Sequence, residues 1–462
     1  MKNSFIKKED SSYKDPDGFV YYKNNNIYRQ INSSYIKEFE KFKKSNFFKE
    51  LKKTNSIVDF KEDNLLNSFD KNAKAVLKIK KIPFISYPYE WSFSQLKDAA
   101  ILTLDIQKKA LESDFSLKDA SAYNIQFLNG KPILIDIFSF EKYQKGKPWV
   151  AYKQFCEHFL GPLLLLKYKD IRLGSLLRTN IDGIPLDLIS SLLPKKTYFN
   201  FSTYVHIHLH AKNQRNYASS HNKINENKKI NKIMLLGIID SLKNLILKTS
   251  LGNEETEWGE YYSFTNYSDE AFENKKIIIS KFIEKVNPKM VWDLGGNTGK
   301  FSRIASNKGI KTISFDIDPK AVEINYLNTK INKETNILPL LLDLTNISPP
   351  IGWDLNERKS LIDRKNADLV MALALIHHLS ISKNIPFEKL AEFFQKLGNY
   401  LIIEFVPKED SQVQKLLSTR KDIFKNYTME EFEKTFSKFF SIEEKQTIGK
   451  NSKRTLYLMR KK

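Results

Sequence analysis

The sequence has little cysteine, glycine or proline and no long apolar run. Its 462 residues include one cysteine, Cys156, with 16 glycines and 15 prolines. A single cysteine excludes an internal disulfide and a cysteine-based metal cluster. No stretch of about 18 uncharged apolar residues is present, which argues against an ordinary membrane span. Residues 1–8 carry no secretory signal pattern. We therefore predict a cytoplasmic protein without a membrane-spanning helix.

The composition indicates folded domains and a strong positive charge. Hydrophobic residues make up 41% and aromatic residues 13% of the chain, which excludes wholesale disorder. The length suggests two or three domains at about 150 residues each. Lys and Arg number 75 against 54 Asp and Glu, a net charge of +21. Such a charge is typical of proteins that bind nucleic acid or anionic membranes, although these lysines are scattered along the chain among many Asn, Ile and Phe residues.

A polar segment divides the chain. Residues 211–232 are rich in Asn, Ser and Lys and have almost nothing to bury, so they predict a linker or an exposed loop. Before the segment lies an N-terminal domain, residues 1–210. After it, residues 233–270 predict a connector that is first helical and then aromatic. The second domain occupies residues 271–462.

The second domain alternates between helical and strand patterns. Each apolar strand-like run has an aspartate at one end. Asp293, Asp316 and Asp343 end their runs, and Asp368 stands near the start of the next one. These four acids are 23, 27 and 25 residues apart. That spacing is typical of βα units and predicts an α/β, Rossmann-like parallel sheet. Two apolar runs around Gly449 predict a closing hairpin, which would give the sheet one antiparallel edge strand.

A glycine-containing loop follows the first strand of this domain. Residues 293–302 read Asp-Leu-Gly-Gly-Asn-Thr-Gly-Lys-Phe-Ser. Glycine lets the backbone approach a ligand closely and adopt positive φ. In doubly wound sheets this position binds nucleotides and similar cofactors. The spacing matches neither the dinucleotide fingerprint nor the P-loop.

The loop resembles motif I of the class I S-adenosylmethionine-dependent methyltransferases, and the resemblance covers roughly residues 260–462. It implies S-adenosyl-L-methionine as the cofactor and methyl transfer as the reaction. The residues that it implies for cofactor binding are Asp293, Gly295, Asn297, Gly299, Asp316 and Asp343. Asp316 would hold the ribose, because a carboxylate accepts two hydrogen bonds from a diol; Asp318 competes for that role. Asp343 would contact the adenine.

Catalytic residues are less well specified. His377 follows the fourth strand, where an imidazole could deprotonate an acceptor hydroxyl, or where it could merely shape the pocket. His378 is predicted to be structural. Glu404 follows the fifth strand and is a weaker candidate, with an exposed ion pair as its alternative. No metal ligand is predicted in this domain.

Segments beyond the loop resemble a narrower methyltransferase group, the one that includes the nodulation protein NoeA. The resemblance rests on residues 338–346, 352–353, 357–358, 372–379 and 403–408 and extends to residues 15–19 and 28–31. It implies an acceptor that is carbohydrate-related or another small molecule. RNA methylation remains an alternative, although a nucleic-acid partner is not favoured. A non-catalytic cofactor-binding scaffold and a bifunctional protein with N-terminal phosphotransfer are also open.

The N-terminal half contains a pattern similar to kinase-like phosphotransferases. There, the residues at the positions of Asp119, Asn124 and Asp136 orient the acceptor hydroxyl and hold magnesium. However, Gly18 is the only glycine in residues 1–118, so a glycine-rich phosphate loop is missing, and Arg29 is a poor substitute for the phosphate-binding lysine. We predict an α+β accessory domain, degenerate if kinase-like, that binds nucleotide weakly or not at all.

Overall fold

The structure is a computed structural model that describes residues 5–219, 230–252, 269–364, 366–418, 420–449 and 452–462. The chain divides into two units, Met1–Asn253 with Pro350–Lys359 and Glu254–Pro349 with Ser360–Lys462. The segment predicted as a linker, residues 211–232, begins inside a helix, and its residues 220–229 lie outside the described residues. The helical part of the predicted connector belongs to the first unit, and its aromatic part, residues 258–267, also lies outside the described residues.

A five-stranded antiparallel sheet opens the first unit. Its strands are β1 (Ile6–Lys8), β2 (Gly18–Lys23), β3 (Asn26–Ile31), β4 (Phe60–Asp63) and β5 (Ala75–Ile79). They pair in the order β1-β2-β3-β5-β4. Helices α1 (Ile36–Lys44) and α2 (Asn46–Lys53) connect β3 to β4. The meander β1-β2-β3 is therefore followed by a helical crossover that places β4 at the far edge.

Two small two-stranded sheets and a group of helices complete the first unit. The sheets pair β6 (Phe115–Leu117) with β9 (Phe140–Lys142), and β7 (Ile125–Leu128) with β8 (Lys131–Leu134). The helices are α3 (Phe93–Glu112), α4 (Tyr152–Phe155), α5 (Gly161–Tyr168), α6 (Leu176–Thr179), α7 (Leu186–Leu192), α8 (Phe201–Thr203), α9 (His210–Ser219) and α10 (Lys232–Leu247). Helix α10 is tied to α3 by the Lys108–Asp240 ion pair at 2.8 Å. Within the described residues, no helix combines the length and apolar character needed to cross a bilayer.

Residues Pro350–Lys359 are part of the first unit although they are far from it in sequence. The Glu357 carboxylate is buried there and accepts a hydrogen bond from the Tyr13 hydroxyl at 2.6 Å. The backbone amide of Lys359 donates to the Tyr87 hydroxyl at 2.8 Å. The segment thus contacts both the β1–β2 connection and the chain that follows β5.

The second unit is built on a seven-stranded sheet. Its strands are β10 (Met290–Leu294), β11 (Lys311–Asp316), β12 (Ile337–Leu341), β13 (Ala367–Ala372), β14 (Gly398–Phe405), β15 (Phe440–Gly449) and β16 (Ser452–Lys461). They lie in the order β12-β11-β10-β13-β14-β16-β15. The first five are parallel, and β16 is antiparallel to both of its neighbours. The predicted α/β class is confirmed.

The antiparallel strand of the sheet differs from the prediction in its position. The single antiparallel strand was expected at the edge of the sheet, but β16 lies one position inside it. The physical reason is the pairing partner of β14. The second strand of the hairpin, and not the first, pairs with β14 from Tyr400 to Phe405, which leaves β15 outermost.

Helices cover the sheet because its central strands have no polar face. Every residue of β10 is buried, as expected for a parallel strand covered on both sides. The helices are α11 (Asp269–Val286), α12 (Ser302–Ser306), α13 (Pro319–Ile331), α14 (Phe387–Leu397), α15 (Ser411–Leu417) and α16 (Met429–Phe436). In α11, Ile278, Ile279, Phe282 and Ile283 form an apolar stripe that packs on this core.

Candidate functional site

A cavity of about 340 Å³ opens at the carboxyl ends of β10, β11, β12 and β13, within the size range of about 300–1,000 Å³ of small-molecule sites. Parallel sheets bind ligands at this edge. The wall is formed by Lys275, Asp293, Gly295, Gly296, Asn297, Phe301, Asp316, Ile317, Leu342, Asp343, Leu344, Thr345, Leu373, Ala374, Leu375, His378, Leu379, Ser382, Lys383 and Leu416. The structure thus brings together five of the six residues predicted for cofactor binding.

The sixth, Gly299, lies away from the cavity wall. Its φ is +79°, and a Cβ built on it would lie 2.5 Å from atoms of Arg303 and Asn325. Gly299 is needed to close the loop against these side chains, and not to clear space for a ligand. On the wall, Gly295 has a φ of +78°, and a Cβ on Gly296 would lie 2.4 Å from the Ser314 hydroxyl. These positions require glycine for conformation and close packing.

Two acids on the wall are held by the loop, and of these Asp293 is buried and Asp316 is partly buried. The Asp293 carboxylate accepts from the Ser302 hydroxyl at 2.6 Å, and burial raises its pKa to about 6. The Asp316 carboxylate accepts from the backbone amides of Asn297 at 2.7 Å and Asp318 at 2.9 Å. Burial raises the pKa of Asp316 to about 6 as well. Because a carboxylate offers about four acceptor sites, Asp316 can bind a further donor while it keeps both amides.

The two remaining acids have different positions. Asp318 accepts from the backbone amide of Lys320 at 2.9 Å and caps the N-terminus of α13. Of the two competing carboxylates, Asp316 therefore lies on the wall and Asp318 serves the helix. Asp343 follows β12 and accepts from the amide of Thr345 at 2.8 Å and from its hydroxyl at 2.7 Å. Its carboxylate is held at the carboxyl end of β12, which is the third strand of the second unit along the chain.

The wall includes a buried lysine that the sequence interpretation missed. The Lys275 ammonium lies 2.6 Å from a Glu404 carboxylate oxygen, with side-chain exposures of 1% and 0%. The same oxygen accepts from the backbone amide of Ala374 at 2.8 Å. Burial lowers the pKa of Lys275 despite this partner. A usable signal existed, since Lys275 stands on the apolar stripe of α11, three and four residues before Ile278 and Ile279.

Glu404 itself is not on the cavity wall. It was predicted either to face the acceptor or to form an exposed ion pair. Its carboxylate is instead fully buried between Lys275 and Arg454, whose guanidinium lies 3.5 Å away. Arg454 also pairs with Asp410 at 2.7 Å. Glu404 thus holds the Lys275 ammonium in place at the wall.

The positions of the two adjacent histidines are the reverse of those predicted. His378 lines the cavity, whereas His377 is 1% exposed and is absent from the wall. Neither ring nitrogen of His377 has a hydrogen-bond partner within the described part of the chain. Burial lowers the pKa of His377 well below its ordinary value and that of His378 to about 4. Both rings are therefore neutral at physiological pH, and a catalytic role for either one remains a prediction.

The kinase-like candidates of the first unit are only partly brought together. Asp136 pairs with the Arg29 guanidinium at 2.7 Å and accepts from the Ser139 hydroxyl at 2.7 Å. Asn124 reaches the same hydroxyl at 3.4 Å. Asp119 accepts from the amide two residues onward, at 2.9 Å, and closes its own turn. Among the described residues, no group of three or more His, Cys, Asp or Glu side chains could hold a metal ion.

The sheet order, the glycine loop after β10 and the acids after the next two strands define a unit with the fold of class I methyltransferases. The chain belongs to the NoeA family. It is 35% identical over 455 residues to nodulation protein NoeA of Rhizobium meliloti (strain 1021), across 96% of this chain and 94% of that protein. A scan of protein-family models gave no match.

Solved structures similar to this chain include three methyltransferases. Magnesium protoporphyrin IX methyltransferase of Synechocystis PCC 6803, with bound SAH, covers 44% of this chain and 93% of its own at 14% identity and a TM-score of 0.31. N-methyltransferase NodS of Bradyrhizobium japonicum WM9 covers 42% and 98% at 10% identity and 0.30. An rRNA methylase of Escherichia coli covers 44% and 70% at 16% identity and 0.31. At these scores the similarity by itself supports no function.

Proposed function

We propose that the chain transfers a methyl group from S-adenosylmethionine to a carbohydrate-related or other small-molecule acceptor. The observation that carries the proposal is the position of Asp316. Its partly buried carboxylate lies on the cavity wall next to a glycine loop and is anchored by two backbone amides. A nucleoside ribose presents two adjacent hydroxyl donors, which match the acceptor sites that remain on this carboxylate.

The residues present fit this cofactor. Asp316 would accept from the ribose hydroxyls, and Asp343 at the end of the next strand would face the adenine. Gly295 and Gly296 contribute backbone to the same wall. S-adenosylmethionine, when bound, supplies an electrophilic methyl group on a sulfonium centre. The chain contributes by aligning the acceptor with that methyl group and by excluding water, for which Leu373, Leu375 and Leu379 supply apolar wall.

The charge of the wall favours a small acceptor over RNA. Among the described residues, three aspartates and two lysines, Lys275 and Lys383, line the cavity, and Lys275 is paired with Glu404. Nucleic-acid sites concentrate positive charge near the bound backbone. The excess of lysine in the chain is thus not gathered on this wall. This supports the carbohydrate-related or small-molecule proposal and makes RNA methylation the second candidate.

Two measurements test the proposal. Calorimetry of the full chain with S-adenosylhomocysteine should show one binding site per chain, whereas a chain that binds no such nucleoside is not a methyltransferase of this type. Mass spectrometry of glycans, small molecules and RNA from cells with and without the gene should then reveal which class loses one methyl group. Loss from RNA alone would reject the small-molecule acceptor while leaving the methyltransferase assignment intact.

A hydroxyl acceptor would need a base, and we propose His378 for that role because it lines the cavity. We expect His378→Asn to reduce turnover by about tenfold, below the usual contribution of a general base, because a pKa of about 4 makes the ring a weak base. Affinity for S-adenosylhomocysteine should stay unchanged. The control is His377→Leu, which alters the neighbouring ring away from the wall and should leave turnover near that of the original chain. A larger loss in the control would return the role to His377.

For the first unit, we propose an accessory role without phosphotransfer. In kinases, the carboxylate after the small sheet holds magnesium, and a lysine on the third strand contacts the phosphates. Here Arg29 on β3 pairs directly with Asp136, and its guanidinium lies 3.7 Å from the centre of the Phe138 ring. A side-chain cation thus takes the position that a metal ion would need. The ion pair supports the absence of phosphotransfer in this unit.

Magnesium and ATP are therefore expected to leave the thermal stability of the full chain unchanged. The Arg29–Asp136 pair must break before Asp136 can bind a metal ion, and residues 350–359 already contact the β1–β2 connection. Differential scanning fluorimetry with and without magnesium and ATP checks this. The variant Arg29→Lys, which restores the kinase-type residue, serves as the comparison. A clear stabilisation of the original chain by both ligands would favour a bifunctional protein.

A further inference from the structure

A short turn in the first unit exposes large aromatic side chains to solvent. It comprises residues 195–204 and is called the aromatic turn below. Phe199 is 92% exposed, Phe201 is 79% exposed and Tyr198 is 48% exposed. Single exposed apolar residues are ordinary on protein surfaces, but two phenylalanines and a tyrosine within four positions form an apolar patch that calls for a partner.

The exposure is built into the fold of the turn. Thr197 and Thr203 are buried, with exposures of 2% and 0%. The Asn200 side chain accepts from the Thr203 amide at 2.9 Å and caps α8. Small polar residues therefore face the interior, while the aromatic residues between them face water. This inverts the usual distribution, and the capped turn holds Phe199 and Phe201 outward.

The base of the turn is fixed by a hydrogen-bonded histidine. The His208 ring stacks on Tyr198 with centroids 3.7 Å apart. Its two nitrogens lie 2.8 Å from the Ser190 hydroxyl and 2.9 Å from the Thr197 hydroxyl. His208 has both ring positions engaged, so it serves as a support for the aromatic turn.

Positive charge is concentrated in the sequence around the aromatic turn. Residues 188–214 contain no Asp or Glu, and they carry three basic residues, namely Lys195, Lys196 and Lys212. One lysine from another element, Lys167 of α5, lies close by. The ammonium groups of Lys167 and Lys196 stand over the same Tyr168 ring, at 5.1 and 5.6 Å from its centre. The patch therefore combines protruding aromatic rings with a local excess of cations.

We propose that the aromatic turn attaches the protein to the surface of an anionic lipid bilayer. Phe199 and Phe201 would enter the interface between headgroups and acyl chains, while Lys195 and Lys196 would remain among the headgroup phosphates. Aromatic and apolar side chains flanked by lysines are the chemistry of interfacial binding, and each lysine near an anionic surface adds to the attraction. The attachment is peripheral and requires no membrane-crossing helix.

The exposure of the phenylalanines favours a bilayer over single-stranded nucleic acid. Proteins that stack bases do so in a charged groove that follows the backbone, and the walls of a groove cover part of each ring. Phe199, at 92% exposure, has almost no covering neighbour. A protruding ring suits insertion into a soft, extended surface. The attachment does not depend on the proposed methyl transfer.

Vesicle cosedimentation of the full chain tests the proposal. We expect binding to vesicles of phosphatidylcholine mixed with phosphatidylglycerol and little binding to phosphatidylcholine alone. The double variant Phe199→Ser with Phe201→Ser should weaken binding by at least roughly tenfold, because it removes most of the inserted apolar area. The double variant Lys195→Gln with Lys196→Gln should weaken it by about tenfold and reduce its salt dependence.

Matched variants elsewhere on the first unit serve as controls. Leu66→Ser changes a side chain that is 85% exposed, and Lys49→Gln with Lys53→Gln changes two exposed lysines of α2. Both should bind vesicles like the original chain. The proposal is overturned if the original chain does not bind anionic vesicles, if the phenylalanine variant binds as tightly, or if the controls lose as much. Binding to an RNA oligonucleotide, lost in the phenylalanine variant without any vesicle binding, would assign the turn to nucleic acid instead.

Discussion

Replacing Glu404 by leucine is expected to lower the free energy of unfolding of the second unit by roughly 3–5 kcal/mol, the usual cost of removing one partner of a buried ion pair. The variant leaves the Lys275 ammonium in an interior site with 1% exposure. It also removes the acceptor of the Ala374 amide and brings no replacement. Urea unfolding measures the loss. The relevant transition is the one that exposes the buried Trp292 of β10, because this residue lies in the second unit.

Two comparisons separate the ion pair from a packing effect. Lys275→Met combined with Glu404→Leu removes both charges, and it should recover much of the stability that the single variant loses. The exposed pair Lys438–Glu388, at 3.3 Å, provides the matched control, since Glu388→Leu should cost less than about 1 kcal/mol. If Glu404→Leu costs no more than Glu388→Leu, the buried pair has no special role in stability.

The parts of the site that were predictable lie in local sequence patterns. An apolar strand followed by a glycine loop places Asp293, Gly295 and Asn297 within a few positions of one another, so their proximity needs no long-range information. Asp316 and Asp343 follow later strands, but the spacing of βα units already predicts that parallel strands end at one edge of the sheet. The helix cap at Asp318 is equally local, because an acid before proline commonly begins a helix.

The parts that were missed depend on contacts between distant positions. Glu404 meets Lys275 across 129 residues, and no local pattern marks that pairing. His377 and His378 are adjacent in sequence, so which of the two rings lines the cavity depends on how the turn after β13 is rotated. The inclusion of residues 350–359 in the first unit depends on contacts such as Glu357 to Tyr13, 344 residues apart. Tertiary packing decides each of these features.

Asp316→Ala is expected to weaken the binding of S-adenosylhomocysteine by at least about a hundredfold. The side chain would lose two hydrogen bonds from the ribose to a charged acceptor, each worth roughly 1.5–3 kcal/mol. It would also lose its anchors to the amides of Asn297 and Asp318, which hold the loop. Calorimetry with the purified full chain measures the change. Undiminished affinity would contradict the assignment of Asp316 to the ribose.

A neighbouring acid and a pH series make this test specific. Asp318→Asn keeps a helix cap of equal quality and should leave the affinity unchanged. In the original chain, affinity should fall as the pH drops below about 6, because burial raises the pKa of Asp316 to about 6 and protonation removes acceptor sites from the carboxyl group. Above that pH the carboxylate is ionised and affinity should level off. The side chain at position 316 cannot titrate in Asp316→Asn. This variant should therefore bind more weakly, but its affinity should not fall further below about pH 6. A fall that persists in Asp316→Asn would assign the titration to Asp293, the other wall acid whose pKa burial raises to about 6.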